Sequence, residues 1–399
     1  MTLSRTQATF APPVMEARRW LEGATFTPDN PLINVSQAAP VDPPPAPLRA
    51  EIARVAKDVP EAHLYGPVLG LSELRAEVAS QWSSAYGGQI GADEVAITSG
   101  CNQAFCATLS AIAGEGDEII LPTPWYFNHK MWLDMQGIKT VPLATGEILL
   151  PDPEAASALI TSRTRAIVLV TPNNPGGVEY PAELVRAFFE LARAKGIKLI
   201  VDETYRDFDL RTEAPHDLFT DPQWGDTLVQ LYSFSKAYRL TGHRVGAMVA
   251  NSAFLAEAEK FLDTVTICPN QLGQYAALWG MRNLSQWLAG ERAEILDRRA
   301  AIADNMGTLT AQGWKLMGAG AYFAYVEHPF DMGSDELAKR LVQDHHVLCL
   351  PGTMFMPEND PAGSRQLRIA FANVDRGEIA VLFDRLAQAD YPKQSESPI

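Results

Sequence analysis

Four segments able to do chemistry each follow directly on a short apolar run rich in β-branched residues. Ser99-Gly100-Cys101-Asn102-Gln103 follows residues 94–98, and Thr171-Pro172-Asn173-Asn174-Pro175-Gly176-Gly177 follows residues 166–170. Asp202-Glu203-Thr204-Tyr205 follows 198–201; Ser233-Phe234-Ser235-Lys236 follows 228–232, with Arg239, Gly242, His243, Arg244 and Gly246 behind it. Singly, each has an ordinary explanation: two turns, a helix N-cap aspartate, a solvated lysine. Ligands of open α/β sheets bind outside the carboxyl ends of the strands, so one shared sheet would gather all four segments on one edge. A small-residue turn opening a helix offers free N–H groups and a positive dipole end to a phosphate. An acid ending a fully apolar strand is partly buried and needs a cation or several donors. An amine nucleophile, a carboxylate for a ring nitrogen, an amide loop and a phosphate cradle are together what pyridoxal 5′-phosphate (PLP) requires.

The rest of the chain has to position these groups. The first forty-odd residues are irregular, with prolines at 40, 43, 44, 45 and 47, and read as an extended arm. Beyond them, helical patterns alternate with five apolar runs, at 94–98, 118–121, 166–170, 198–201 and 228–232. A helix is expected over 71–83. Another spans 181–195, where Leu184, Phe188 and Leu191 recur at i, i+4, i+7, Pro181 stands at the start and Gly196 just past the end. Such alternation implies an α/β fold with a mostly parallel sheet covered by helices on both faces. After Asn251 the pattern is helical to about Gln312, and a short βαβ-like region follows that includes 321–326 and 367–371. The expected organisation is an N-terminal arm (1–47) packing with a small domain, a large cofactor-binding domain (48–275) and a smaller C-terminal α/β domain (276–399). The tail from Tyr391 is polar and expected to fray.

Composition narrows the functional classes. Of 399 residues 47% are apolar and 20% charged, which argues against disorder and coiled coil. The 33 basic and 48 acidic residues give −15, an unfavourable balance for a nucleic-acid or anionic-membrane partner. No apolar run reaches 18 residues, and the first residues lack a signal-like apolar stretch. The four cysteines contain no C-x-x-C, and the seven histidines no H-E-x-x-H, so neither a disulfide scaffold nor a metal site is expected. These features leave a soluble, cytoplasmic enzyme or binding protein as the expectation.

The sequence resembles fold-type I, class I/II PLP-dependent aminotransferases over nearly its whole length. The matching pieces are Tyr65-Gly66, Gly70-Leu71, Glu73-Leu74-Arg75, Ser99-Gly100-Cys101-Asn102-Gln103-Ala104 and Pro122-Thr123-Pro124-Trp125-Tyr126. They continue through Asn173-Asn174-Pro175-Gly176-Gly177, Asp202-Glu203-Thr204-Tyr205, Ser233-Phe234-Ser235-Lys236, Gly242-His243-Arg244-Val245-Gly246 and Arg368-Ile369-Ala370-Phe371. The resemblance implies that Lys236 is the Schiff-base lysine and that Asp202 faces the pyridinium nitrogen. It makes Tyr205 and Asn174 donors to the ring's 3′-oxygen, and Gly100, Cys101, Asn102, Ser233 and Arg244 the phosphate cradle. Tyr126 stands where the family stacks an aromatic on the ring, with Trp125 the adjacent alternative. Tyr65 resembles the residue that reaches a phosphate across a dimer interface, which implies a homodimer with shared sites. Arg368 resembles the clamp on the substrate carboxylate, and Asn174 and Ala38 stand at the substrate side. The substrates implied are an amino acid and a 2-oxo acid.

Departures from the family pattern lie in the substrate loop, Ser36-Gln37-Ala38-Ala39-Pro40, where glycine often precedes the proline, and in Asn174-Pro175-Gly176-Gly177. Ser233-x-x-Lys236 also satisfies the S-x-x-K motif of serine β-lactamases, but the S-D-N and K-T-G companions are missing. A PLP-binding transcription regulator would need an added DNA-binding domain, for which the chain has no room. The alternative on the same apparatus is a carbon–sulfur β-lyase. Residues 264–271 contain no basic residue, unlike the matching stretch of aspartate-type relatives, so the expected donor has a neutral or aromatic side chain. Trp20, Trp125, Tyr126 and Tyr322 are the aromatic candidates for its pocket, and Arg18, Arg19 and Arg239 the cations that could reach it.

Overall fold

The apolar runs become buried strands because helices cover both faces of the sheet they form. The structure, a computed structural model, describes residues 4–394. Its central sheet has seven strands: β1 (Val95–Thr98), β2 (Glu118–Thr123), β3 (Lys139–Ala144), β4 (Thr164–Val170), β5 (Lys198–Asp202), β6 (Leu228–Ser233) and β7 (Gly246–Val249). The spatial order is β1-β7-β6-β5-β4-β2-β3, parallel except for β7, which runs antiparallel to both neighbours. The mostly parallel sheet read from the alternation is therefore present. Two of its strands gave no signal in the sequence. β3 is a half-exposed edge strand carrying Pro142, which an edge tolerates, and β7 is four residues long and begins at a glycine.

α1 (Pro13–Arg19) lies in the N-terminal arm. α2 (Cys101–Ile112) follows β1, α3 (Phe127–Gln136) follows β2, and α4 (Ala182–Lys195) precedes β5. Pro181 caps α4 and Gly196 ends it at φ 66°, as the sequence suggests. Its buried face is Val185, Phe188, Phe189 and Ala192, however, with Leu184 and Leu191 only partly buried. The expected stripe is rotated by one residue because Phe189 buries more apolar surface than Leu191. The helix expected over 71–83 runs Ser72–Tyr86.

The C-terminal part differs from the βαβ-like expectation. It holds a four-stranded antiparallel sheet of β8 (Lys315–Gly320), β9 (Phe323–Glu327), β10 (Leu350–Pro351) and β11 (Gln366–Ala370), in the order β10-β11-β9-β8. Only Ala321 and Tyr322 separate β8 from β9, and so short a link closes only an antiparallel hairpin. β8, Lys-Leu-Met-Gly-Ala-Gly, has little strand propensity of its own.

The arm returns to this region. Ile33–Asn34 pairs in parallel with Val347–Leu348, and Ala17 of α1 is fully buried in a cluster with Val342, Leu348, Leu350 and Phe355. At the other end Tyr391 packs on Phe330 at 5.4 Å and donates to Asp344 at 2.8 Å, while Asp331 N–H bonds the Pro392 carbonyl. Residues 391–394 are thus docked rather than frayed, because an aromatic anchor outweighs the polar composition; residues 395–399 lie outside the described residues. Among the described residues no helix is long and apolar enough to cross a membrane.

Candidate active site

The carboxyl ends of β4, β5 and β6 and the amino end of α2 open on one cavity of about 260 Å³. Of the residues singled out from the sequence, Cys101, Asn102, Tyr126, Asn174, Asp202 and Tyr205 line it. So do Ser233, Lys236, Arg244, Arg368 and Ala38. Gly100 lies against Arg244 beneath the cavity, and Tyr65 is elsewhere.

Lys236 sits in the single helical turn that follows β6, and its Nζ donates to the Ala38 carbonyl at 2.7 Å. Burial, then the nearby Arg244 and Arg368 guanidinium groups, push its pKa down to about 8. That is low enough for the amine to act as nucleophile and base near neutral pH.

Asp202 ends β5 and is 3% exposed. Burial works to raise its pKa, but His129 Nε2 at 3.2 Å and the Thr204 N–H at 3.0 Å outweigh this and hold the carboxyl below its usual range. His129 was not foreseen. It projects from α3 three residues after Tyr126, and its ring stacks on Phe105 at 3.8 Å, which fixes the imidazole against the acid. The i, i+3 relation to Tyr126 is the signal that could have found it. The next acid, Glu203, points to the opposite side of the sheet, where Tyr86 and Gln230 donate to it at 2.6 and 2.7 Å. It anchors the turn that carries Asp202.

The turn between β1 and α2 is tightly packed against Arg244. Gly100 has φ 86° and caps α2, and a Cβ there would fall inside the Arg244 guanidinium. Arg244 itself adopts φ 51°, strained for a non-glycine residue, with Nη1 bonded to the Thr241 carbonyl at 3.0 Å and 3.5 Å from Ser235 Oγ. Ser233 Oγ accepts from the Ser235 N–H. Two hydroxyls, an arginine and a helix N-terminus therefore converge on one end of the cavity, a donor set suited to a phosphate. The Cys101 thiol is held well above its usual pKa by burial and by Asp202, so it stays neutral.

At the opposite end Arg368, on β11, is 2% exposed and bracketed by Phe355 and Phe323, 4.9 and 5.1 Å from their ring centres. Its Nη1 donates to Asn174 Oδ1 at 3.0 Å and its Nη2 to the Ser36 carbonyl, while Nε is buried without a partner. Burial lowers its pKa to about 10, which still leaves it charged at neutral pH. A buried guanidinium with an unpaired donor suits a planar carboxylate. The substrate loop reaches this point through Ser36, Gln37 and Ala38. Gly177, at φ 72°, closes the asparagine loop where a Cβ would run into the Phe323 and Gly320 backbone.

Several expectations for the pocket wall are corrected. Trp125 is outside the cavity: the chain is extended before α3, so neighbouring side chains diverge, and Tyr126 faces inward while Trp125 packs beside Lys130. Tyr322 stands behind Tyr205 at 5.3 Å, and Trp20 belongs to the apolar clusters around α1. Val14, Phe127, Asn128 and Gln37 line the cavity in their place. Arg19 pairs with Glu16, and Arg239 with Glu291 and Asp42. Tyr65 is 81% exposed, on a surface shared with Leu64, Thr266 and Cys268.

The family model for aminotransferase class I and II matches residues 30–386. The chain belongs to this family. The aminotransferase is 28% identical over 338 residues to a probable aspartate/prephenate aminotransferase of Thermus aquaticus, covering 82% of this chain and 83% of that one. It is 27% identical over 362 residues to the methionine aminotransferase of Escherichia coli, covering 89% and 92%. Among solved structures, a mutant aspartate aminotransferase of Thermus thermophilus superposes with a TM-score of 0.86 at 24% identity, over 97% of this chain and 99% of that one. The Escherichia coli methionine aminotransferase YbdL gives 0.87 at 23%, over 98% and 100%. These structural likenesses show the fold. The family uses PLP, and the residues of this cavity fit it: an arginine-and-helix end for the phosphate, an acid held ionised for the ring nitrogen, and an amine between them.

Proposed function

We propose that this aminotransferase holds PLP through Lys236 and moves an amino group between an amino acid with a neutral or aromatic side chain and a 2-oxo acid. The observation that carries the reading is the Lys236 amine, at a pKa of about 8, sharing one cavity with Asp202, Arg244 and Arg368. Bound there, PLP supplies the electron sink that makes the substrate's Cα proton removable. Arg244, Ser233, Ser235 and the Cys101 and Asn102 N–H groups bind its phosphate. Asp202, steadied by His129, keeps a proton on the ring nitrogen; breaking such a buried pair costs roughly 3–5 kcal/mol. Tyr205 and the Asn174 amide orient the ring oxygen, and Tyr126 packs on the ring. Arg368 would fix the substrate α-carboxylate, and Lys236 Nζ would take the Cα proton and deliver it to the cofactor carbon on the far side of the nitrogen, two bonds away.

The walls support a neutral side chain, since Val14, Tyr126 and Phe127 face the cavity while Arg19 and Arg239 are engaged with carboxylates. A homodimer with shared sites belongs to the same reading, supported by the exposed Leu64, Tyr65, Val265 and Ile267, on two segments that meet where the Gly66 N–H approaches Cys268 Sγ at 3.4 Å. In this reading the site lies where the large domain, 48–275, meets the small domain, 276–399, and the arm, 1–47, each of which contributes lining residues. Four free cysteines accord with a reducing cytoplasm. A panel of amino donors offered to the purified PLP-loaded protein tests the proposal through the absorbance change from the pyridoxal to the pyridoxamine form. Neutral or aromatic donors should lead. Aspartate at least about tenfold ahead in kcat/KM would refute the donor class, and no conversion by any donor would refute amino transfer.

A further inference from the structure

One cation beside the cavity has no carboxylate. Arg18 lies on α1 one turn beyond Val14, and the i, i+4 spacing puts both on one face of the helix. Val14 lines the cavity, and Arg18 Nη2 donates to Gln37 Oε1 at 2.7 Å, where Gln37 is itself a lining residue. The next residue, Ala38, accepts the Lys236 Nζ bond. Arg18 and Lys236 thus bond to consecutive residues of one loop. Its neighbours are otherwise arranged: Arg19 has Glu16, and Arg239 has Glu291 and Asp42, whereas no acidic group lies within ion-pair distance of Arg18 among the described residues.

The base of this arginine is fixed and its head is free to turn. Ala17, next to it, is fully buried against Val342, Leu348, Leu350 and Phe355, so α1 is held in place. The Gln37 backbone is held as well, its carbonyl accepting from Asn373 Nδ2 at 2.6 Å. The Arg18 side chain is exposed and rests on a neutral amide oxygen. An amide holds a guanidinium with hydrogen bonding alone, and a carboxylate adds charge and a two-pronged fit, so an incoming carboxylate displaces it.

We propose that Arg18 is a specificity residue that admits a 2-oxo dicarboxylic acid as amino acceptor to a site whose walls suit neutral donors. This rests on the amino-transfer reading above, in which donor and acceptor use the same cavity in turn. With a neutral side chain bound, Arg18 stays on Gln37 and presents its aliphatic stem to the mouth of the pocket. With an acidic one, its guanidinium leaves Gln37 Oε1 for the distal carboxylate, and the Gln37 Nε2 becomes a second donor.

The experiment loads the full-length protein in its pyridoxamine form and measures kcat/KM for 2-oxoglutarate, oxaloacetate and pyruvate. The readout is the ratio of the better dicarboxylic acid to pyruvate. Arg18→Gln should lower that ratio about tenfold or more, mainly through KM, as loss of one charged hydrogen bond implies. Arg18→Lys should recover part of it, and Gln37→Glu should lower it by capturing the arginine. A ratio within twofold of wild type in Arg18→Gln overturns the proposal, as does a wild-type enzyme that uses pyruvate and ignores both dicarboxylic acids. Transfer to no acceptor at all contradicts the amino-transfer reading itself, and the Arg18 assignment falls with it.

Discussion

At the scale of residues, the chemistry depends on groups held away from their ordinary states. Lys236 carries a cost in the protein without its cofactor, because burial and two arginines oppose its positive charge. Its folded-state pKa of about 8 lies below the usual lysine value of 10.5, so the unfolded chain binds more protons between these values and stability rises with pH across that window. Lys236→Met should therefore melt above the wild type when both lack PLP and the pH is below about 8, with the gap closing towards pH 10.5. Equal melting temperatures throughout, followed by calorimetry or circular dichroism, would show that the lysine is unstrained. The reacting residues were legible because lysine, aspartate, asparagine and arginine stand out against the apolar runs before them. His129 was only faintly legible, through its i, i+3 spacing from Tyr126, since its role comes from stacking on Phe105 and facing Asp202, and both contacts are long-range.

At the scale of elements, strand ends and helix starts do the positioning. The five apolar runs were readable as strands because they are buried on both faces, whereas β3 lacked that signal through exposure and β7 because it opens on a glycine. The junction of β1 and α2 offers the sharpest test. Gly100→Ala puts a methyl into the Arg244 guanidinium and strains a backbone at φ 86°. PLP affinity should weaken about tenfold or more while the fold persists, measured by equilibrium dialysis against the cofactor and far-UV circular dichroism. Unchanged affinity in a folded variant would remove this turn from the phosphate site. The antiparallel hairpin of β8 and β9 was misread because a two-residue link, rather than strand propensity, decides its direction.

At the scale of the whole molecule, the arm, the sheet edge and the C-terminal region meet at one cavity: Ala38 touches Lys236, Ser36 touches Arg368, and Val14 closes one wall. The site draws on residues from Val14 to Arg368, which is why motif order rather than any single motif made it readable. Tyr65 lies outside the cavity of its own chain and is 81% exposed; the proposed homodimer would bring it to the site of a second copy. Mixing Tyr65→Phe with the inactive Lys236→Ala protein tests this. Shared sites give heterodimers one site with both defects and one with neither, so activity should rise on subunit exchange. Proven exchange without a rise would place Tyr65 outside the catalytic unit.

The central claim, that Lys236 carries the cofactor, is tested most directly by borohydride reduction of the PLP-loaded protein followed by peptide mapping. The account predicts a single pyridoxyl-modified peptide containing Ser233-Phe234-Ser235-Lys236, and its loss in Lys236→Ala. A modified peptide centred on any other lysine, or undiminished labelling of the Lys236→Ala protein, would contradict it.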